Sequence, residues 1–583
     1  MNPFQFLIAI SILVVPGIFP ARRLFDRSTA WLFAPIVVLA ACGTGATLSL
    51  VLPIPPVVMM AIVILAANGA SLRWPRNPVR QTDANAGVDG RVVLVCAVVC
   101  TGPQLLGTVT ALNSFDSWVT WFLHAEWLTS SRDRFLSAID TPGYANPAYP
   151  PGVSASIAAV WRTLGSTNAE IGQLVVAALT GSTLAFAAAR IWKYRADNSP
   201  QVTRGISSLE VLLVAASVSA GAFASIKSNG FSGLVDALVA TVSLCLMLLV
   251  FSRGVGAVPV LVCAVALGLV KNEGLVVVIV LTALCTAYPP VHRFVGRRRL
   301  IALWGGLGVG LLWALMVRSH GASSWYSTES VSASLSQDSD SASRAAIATL
   351  AVFKQIAGAL LVFAACAVLG WRERRTDRST DEDASESGWR VSRSPLNVML
   401  GDSAVPYCLA AFALLISLVS VSYYVASSYP LRSFLNGSVD RVTMTPKLLL
   451  LSAALMVSPS ARQLRRAMVP AFISILLGIA VIVQGLREVR VVALPSSRQA
   501  NREYSRLIHC IEGQVNRVLP AGSVVAVSPG SKWSQRIEAM TFPRYRLIPW
   551  EPVRAPEVRV LQHIDGKSWC GTVVVLDRPD GNA

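Results

Sequence analysis

Long apolar segments, separated by short polar loops, occupy most of the chain. An apolar run of about 15 to 25 residues is long enough to cross the hydrocarbon core of a membrane as a helix. Such runs lie near 4–20, 31–52, 55–71, 91–112, 169–193, 208–226, 231–252, 255–271, 274–289, 300–317, 346–370, 403–425, 445–459 and 467–486. The pattern predicts an all-α membrane fold, a polytopic transmembrane bundle of about 14 helices.

Positive charge is concentrated in alternate loops between the apolar runs. The basic loops are ARRLFDR, RWPRNPVR, RIWKYRADNSPQVTR, VHRFVGRRR, RERRTDRSTDEDASESGWR and SARQLRR. Because cytoplasmic loops carry an excess of Lys and Arg, this alternation predicts that both termini lie outside the cytoplasm. The same alternation requires that residues 150–165 do not cross the membrane. A run of this length is typical of a surface-lying or re-entrant helix.

Composition narrows the class of protein. Of 583 residues, 53% are apolar and 14% are charged, and the mean hydropathy is +0.56. These values exclude an ordinary soluble domain. The net charge of +18 does not indicate nucleic-acid binding, because Lys and Arg lie mainly in short loops and no basic face is interleaved with aromatic residues.

The predicted outer side of the protein carries a second pattern of charge. Five outer loops or helix ends contain Asp116, Lys227, Asp236, Lys271, Glu273, Arg432, Asp440 and Arg441. Charges at membrane depth are costly unless they are paired or hydrated. Asp236 is predicted to lie inside its apolar run, and Lys271 and Glu273 fall between two runs with almost no loop. Two interpretations remain open: these groups pair to hold helices together, or they line a cavity.

The segment NSFDSWVTWFLHAEWL, residues 113–128, combines charged and aromatic side chains. At helical spacing, Asp116, Thr120 and His124 form one polar stripe. The apolar positions are Trp118, Trp121, Phe122 and Ala125. We therefore predict a helix lying along the outer surface of the membrane. Asp116 is either the N-terminal cap of this helix or a carboxylate that takes a proton from an acceptor hydroxyl, and His124 ranks second to it.

Five short motifs in chain order carry a resemblance to a known family. They are FDSW, NPAYPP, GLVDALVA, KNEG and SVDR, and they extend over most of the chain from about 90 to 445. The set resembles the polyprenyl-phosphate-sugar-dependent GT-C glycosyltransferases, which include protein mannosyltransferases and lipid A aminoarabinose transferases. The resemblance implies a GT-C-like catalytic module over 1–487, whose outer loop 112–168 carries the catalytic motif. It also implies that Asp116 is the catalytic base.

The expected activity is transfer of a sugar from a polyprenyl phosphate to an extracytoplasmic glycan, lipid or protein acceptor, with inversion, at the plasma (inner) membrane. The leaving phosphate needs cations, and the candidates are Lys271, Arg441, Arg432 and Lys227. Supporting roles are expected for His124, Tyr149, Asp236, Glu273 and Asp440. The chain departs from many members of this family at Ala148, where they carry a second loop carboxylate. It departs again at Ser433 and Phe434, because members of the family often carry Trp-His a few residues before the late Ser and Arg.

The sequence predicts no metal site and no certain cofactor. Asp116 is followed by Ser117 and Trp118 and not by a second carboxylate, so a divalent ion is possible but unsupported. No zinc-ligand spacing or Walker loop is present. Two other functions stay open, a surface-polysaccharide polymerase or ligase and a lipid-linked sugar transporter. A transporter is expected to carry its charges near the middle of the membrane on broken helices.

Residues 488–583 have a different composition from the rest of the chain. They contain a helix candidate over 497–519 and strand candidates SVVAVSP, YRLIPW and TVVVLD. This pattern predicts a small extracytoplasmic α/β domain, which either binds the acceptor or acts as a structural cap. Cys510 and Cys570 both lie here, and an oxidising compartment would allow them to form a disulfide. The alternative is two free thiols in a cytoplasmic tail.

Overall fold

A computed structural model describes the chain in segments. The described residues are 3–74, 88–108, 117–130, 132–140, 148–198, 208–226, 235–252, 254–320, 341–382, 404–425, 434–458, 524–527, 546–549 and 573–576. Up to residue 458, all regular structure in these segments is helical. The three short segments after it are strands.

The N-terminal helices form one packed group. They are α1 (Pro3–Leu24), α2 (Arg27–Val51), α3 (Pro56–Ser71) and α4 (Gly90–Gly107). Asp26 begins α2, because its carboxylate accepts hydrogen bonds from the backbone amides of Ser28 and Thr29. Pro20 has no amide hydrogen to bond the carbonyl of Pro16, and Asn68 of α3 donates to that oxygen at 2.9 Å. The carbonyl oxygen of Pro16 therefore has no donor within α1, and the side chain of Asn68 in α3 supplies one.

The region between α4 and α8 is built from short helices. A π-helix, Ser117–Phe122, continues into α5 (Leu123–Ser130) and is followed by α6 (Arg132–Asp140) and α7 (Gly152–Leu164). Arg132 donates to the backbone oxygens of Ser49 and Leu50, so α6 caps the C-terminal end of α2. Helix α7 has 13 residues, most of them buried against α2, α5 and α8. It is a short interior helix and not one that lies on the surface.

The central helices follow α7 along the chain. They are α8 (Ala169–Asn198), α9 (Ser208–Ile226), α10 (Asp236–Phe251), α11 (Ala257–Val270), α12 (Asn272–Ala287), α13 (Pro289–Val295) and α14 (Arg297–Ser319). Among the central helices, α10 is buried along its whole length. Helices α11 and α14 pack closely, since a Cβ on Gly306 would overlap the side chain of Ala264. Helices α12 and α13 meet at an angle of 103°.

The last helices pack around α18. They are α15 (Ser341–Glu382), α16 (Ala404–Val425), a second π-helix (Phe434–Ser438), α17 (Val439–Val442) and α18 (Met444–Val457). Helix α18 contacts α15 and α16 and also α9 and α10. It therefore joins this group to the central helices.

Arginines near the predicted cytoplasmic loops satisfy the ends of neighbouring helices. Arg195 of α8 donates to the backbone oxygen of Ser458 at 3.0 Å and to its hydroxyl at 2.6 Å, just after α18. Arg299 of α14 donates to the backbone oxygen of Val250 at 2.7 Å, in the last turn of α10. The last carbonyls of a helix have no partner within it, so each guanidinium fixes a helix end that would otherwise be open.

The helices agree in position with the predicted apolar runs. Every run within the described residues coincides with a helix, whereas 467–486 lies outside them. By length and composition, six described helices can cross a membrane, or seven if the bent pair α12–α13 counts as one span. The protein is therefore a multi-pass helical membrane protein. Asp236, which lies about five residues inside the apolar run 231–252, is the first residue of α10, so it stands at a helix end.

The C-terminal strands coincide with the three predicted strand segments. They are β1 (Val524–Val527), β2 (Arg546–Pro549) and β3 (Val573–Leu576), in the order β2-β1-β3. Strand β1 pairs in parallel with β2 and antiparallel with β3. The predicted helix over 497–519 lies outside the described residues, so the α/β domain and its side of the membrane stay predictions.

Candidate functional site

Three helix ends bring a buried group of charges together. Asp236 is the first residue of α10, Lys271 lies between α11 and α12, and Arg441 belongs to α17. Lys271 Nζ is 2.7 Å from Asp236 Oδ1, while Arg441 Nε and Nη2 are 3.1 and 3.0 Å from Oδ2. One carboxylate therefore holds two cations, one on each oxygen. An aspartate in the first turn also suits the positive end of the α10 dipole.

The motif KNEG explains the position of Lys271. The chain reverses at this residue, whose extended backbone (φ −163°, ψ 158°) separates α11 from α12. The two helices approach so closely that a Cβ on Gly274 would overlap the backbone oxygen of Leu267. Glycine permits this contact because it has no side chain. The tight reversal leaves Lys271 at the helix ends with 3% of its side chain exposed.

Glu273 completes the charge balance around Lys271. Its Oε1 is 3.0 Å from Lys271 Nζ, so the lysine contacts two carboxylates. The cluster thus holds two cations, Lys271 and Arg441, against two anions, Asp236 and Glu273. Among the described residues, the buried Oε2 of Glu273 has no hydrogen-bond partner. Arg441 and Glu273 are the more exposed members, at 29% and 38% of their side chains.

Aromatic rings connect this cluster to the predicted outer loop. The ring of Tyr149 stacks on Trp121 of the π-helix, with centroids 5.4 Å apart and planes 14° apart. Lys271 Nζ lies 5.6 Å from the centroid of the Tyr149 ring, within the range of a cation–π contact. The Pro-Pro-Gly end of NPAYPPG fixes this arrangement, because Gly152 packs directly on the backbone of Leu269. The loop motif and KNEG therefore meet in space.

The segment after Asp116 is not a surface helix, contrary to the sequence prediction. It is a π-helix that continues into α5, and Thr120, Trp121 and His124 are all buried. His124 stacks on Trp127, with centroids 5.0 Å apart. Two members of the predicted polar stripe, Thr120 and His124, are thus covered by protein, and α5 contacts both α7 and α6. π-Helices are rare and frequently occur at functional sites.

Asp440 takes part in a neighbouring contact. Its Oδ1 is 3.8 Å from Nζ of Lys447 in α18, and Lys447 also donates to Oε1 of Gln355 in α15 at 2.9 Å. Sequence reasoning did not single out Lys447 or Gln355. The signal was present, because Lys447 is a cation within the predicted span 445–459.

Several predicted site residues lie outside the described part of the chain. They are Asp116, Lys227, Arg432 and the two cysteines Cys510 and Cys570. Within the described residues, no group of three or more His, Cys, Asp or Glu side chains is arranged to hold a metal ion. The eight cysteines found there are unpaired thiols.

The fold and this cluster define the class of the protein as a multi-pass helical membrane protein with a charged site at the ends of several helices. No protein-family model matches the chain, and no curated protein matches it either.

Proposed function

We propose that the protein is a membrane glycosyltransferase that moves a sugar from a polyprenyl phosphate to an acceptor outside the cytoplasm. The observation that carries the proposal is the cluster of Asp236, Lys271 and Arg441, which joins three helix ends beside the outer-loop residue Tyr149. A sugar linked to a membrane lipid has to be met at the boundary between lipid and water. Cations at helix ends suit such a boundary.

Arg441 and Lys271 are the groups proposed to stabilise the leaving phosphate. As the bond between the anomeric carbon and the phosphate oxygen breaks, negative charge grows on the phosphate, and fixed cations lower the energy of that state. Arg441 is partly exposed and carries a planar fork of donors that matches phosphate oxygens. Asp236 keeps both cations in place before the donor binds.

Asp116 is the proposed general base. In a single displacement, the acceptor hydroxyl oxygen attacks the anomeric carbon, its proton passes to a carboxylate, and the polyprenyl phosphate leaves with inversion. Asp116 directly precedes the π-helix whose Trp121 stacks on Tyr149, next to Lys271. This chain of contacts supports a place for the base near the cations. Glu273 Oε2 is a further acceptor for a sugar hydroxyl.

The activity can be tested with purified protein in lipid nanodiscs and a panel of polyprenyl-phosphate sugars. Mass spectrometry would follow release of polyprenyl phosphate and appearance of the sugar on added glycan, lipid or peptide acceptors. We expect turnover of at least one donor, and loss of turnover in Asp116→Asn. The same protein in sealed vesicles tests the transporter alternative, because a transporter would move the donor across the membrane uncleaved. Extension of a growing glycan by whole repeat units would identify a polymerase.

A further inference from the structure

A second polar group lies at the edge of the helices, next to the charge cluster but not part of it. Lys447 of α18 donates to Gln355 of α15, and the adjacent residue Lys354 is exposed, as is Gln355. These side chains lie on two helices that the sequence predicts to be membrane spans. Such groups are uncommon on a lipid-facing surface and usually mark a functional site.

The packing of α15 defines the level at which this group lies. Ala348 and Val352 of α15 form a small hydrophobic cluster with Phe434 and Val439 of the segment before α18. This part of α15 therefore stands beside the connecting segment that leads into α18. Gln355 lies about one turn further along and reaches Lys447, which is itself about one turn into α18. The contact thus lies near the boundary where α18 begins.

Exposure shows that α15 is a peripheral helix. In the most apolar stretch of α15, 11% of the residues are buried, whereas 89% are buried in the corresponding stretch of α8. Taking the exposed face of this predicted span as its lipid-facing side presents Lys354 and Gln355 to the membrane near its predicted outer boundary. A lysine at that level is favourable where an anionic lipid headgroup neutralises it.

Contacts continue from this edge to the buried cluster. Lys447 Nζ lies 3.8 Å from Asp440, Asp440 precedes Arg441 in the chain, and Arg441 pairs with Asp236. The first cation, Lys354, is exposed, and the last, Lys271, has 3% of its side chain exposed. Between them, Lys447 and Arg441 are 12% and 29% exposed, so these four cations connect the edge to the interior without a steady decrease in exposure.

We infer that Lys447, with Lys354 and Gln355, is a binding site for the phosphate of a polyprenyl phosphate that approaches Arg441 sideways from the membrane. The phosphate oxygens would accept hydrogen bonds from Lys447 Nζ, which now donates to Gln355 Oε1, and from the amide nitrogen of Gln355. A bond from the lysine ammonium to phosphate carries charge on both partners, whereas its present bond to Gln355 carries charge on the donor alone. The route to Arg441 rests on the proposed function, whereas phosphate binding at Lys447 does not.

The test is equilibrium binding of polyprenyl phosphate to the full chain in nanodiscs of zwitterionic lipid. We expect Lys447→Met to weaken binding by about tenfold, the effect of losing one charge-assisted bond. Binding of the uncharged polyprenol is expected to stay the same, and Lys447→Arg is expected to restore most of the phosphate affinity. Lys193→Met is the matched control, because Lys193 is a partly exposed cation near the opposite end of the helices.

Competition identifies the source of the phosphate. Unlabelled polyprenyl phosphate is expected to compete, and inorganic phosphate and phosphatidylglycerol are expected to compete at least tenfold less well. Equal competition by either of them would overturn the inference, as would Lys447→Met with unchanged affinity. Should Lys447→Met fold poorly, Lys354→Met provides the test, since Lys354 is exposed and its removal leaves helix packing intact. An unchanged affinity in that variant overturns the inference equally.

Transfer kinetics separate this inference from the proposed function. In an active enzyme, Lys447→Met is expected to raise KM for long-chain donors about tenfold and leave kcat unchanged. A donor with a short, water-soluble chain is expected to show no change, because it reaches Arg441 without passing the membrane edge. If no donor is turned over but binding still depends on Lys447, the proposed function fails while the phosphate site stands.

Discussion

At the scale of single residues, the two carboxylate oxygens of Asp236 determine the arrangement of the site. Each oxygen holds a different cation, Lys271 on one side and Arg441 on the other, and the three side chains come from three separate helix ends. A buried cation without a partner is costly, so this carboxylate stabilises both the fold and the geometry of the two cations. Asp236 is therefore a positioning residue.

Replacement of Asp236 by Asn tests this role. Breaking a buried pair by removing one partner typically costs roughly 3–5 kcal/mol, so Asp236→Asn is expected to lower the melting temperature clearly. The control is Asp197→Asn, which breaks the more exposed Lys193–Asp197 pair and is expected to cost about 0–1 kcal/mol. Equal melting temperatures for the two variants would show that the cluster contributes little to stability.

The two cations differ in burial, and their effects on donor binding are expected to be separable from their effects on stability. Loss of a charge-assisted contact costs about 1.5–3 kcal/mol, so Lys271→Ala and Arg441→Ala are both expected to weaken donor binding. Titration calorimetry and thermal melts of the same samples provide the measurements. A variant that melts earlier but binds donor normally has lost a structural ion pair, and the phosphate contact would then be assigned to Arg432 or Lys227.

Asp116→Asn is expected to abolish transfer without changing donor binding. A general base contributes about 10² to 10⁴ in rate, and asparagine keeps the size of the side chain but cannot accept a proton. The measurement is sugar transfer at saturating donor, with donor affinity determined separately. Retention of more than about a tenth of the activity removes Asp116 from the catalytic role.

At the scale of elements, the hairpin of α11 and α12 presents the site. The chain reverses at Lys271, and the reversal depends on contact between Gly274 and the backbone of Leu267. On the other side of the hairpin, Gly152 of α7 packs on the backbone of Leu269. Two glycines therefore allow three helices to meet at the point where Lys271 and Tyr149 lie.

Gly274→Val tests the importance of this close contact. Side chains forced into a packed interior typically cost about 1–3 kcal/mol, and here the obstacle is backbone, which cannot turn aside. We expect a lower melting temperature and weaker donor binding, because Lys271 is displaced. In the control Gly308→Ala, the added methyl has open space in α14, and a neutral or slightly stabilising effect is expected. A Gly274→Val variant as stable as the control would contradict the hairpin packing.

At the scale of the whole molecule, all site proposals depend on which side of the membrane the helix ends face. Basic loops predict that the ends bearing Lys271 and Arg441 face outward, together with the C-terminal region. The same sidedness predicts that Cys510 and Cys570, which lie outside the described residues, form a disulfide. In the chain-entropy model, a bond that closes a loop of about 60 residues stabilises the folded domain by about 4 kcal/mol.

The disulfide can be measured by alkylation of intact cells with and without prior reduction, followed by mass spectrometry of the tail peptides. We expect Cys510 and Cys570 to resist alkylation until a reductant is added. The eight thiols within the helical segments serve as an internal reference, because they are expected to react equally in both samples. Free thiols reached only by a membrane-permeable reagent would place the tail in the cytoplasm and reverse the sidedness on which the proposed site depends.

The sequence by itself determined the positions of the helices and strands. Apolar run length is a local property, so runs such as 208–226 and 403–425 predict the observed helices to within a few residues. Alternation of basic loops also assigned Asp236, Lys271, Glu273 and Asp440 to the same side of the protein. Strand segments near the C-terminus followed from their β-branched residues and flanking turns.

Only the tertiary structure decided which of these residues touch. Asp236 and Arg441 are 205 positions apart, and their contact depends on how α10 meets α17 and the helix that follows it, which no local pattern contains. Burial of Thr120 and His124 was equally hidden, because a polar stripe has the same spacing whether water or another helix covers it. The Trp121–Tyr149 stack likewise needs a π-helix and a glycine contact to bring two loop segments together. Helix formation follows from nearby residues, whereas the site is made by distant ones.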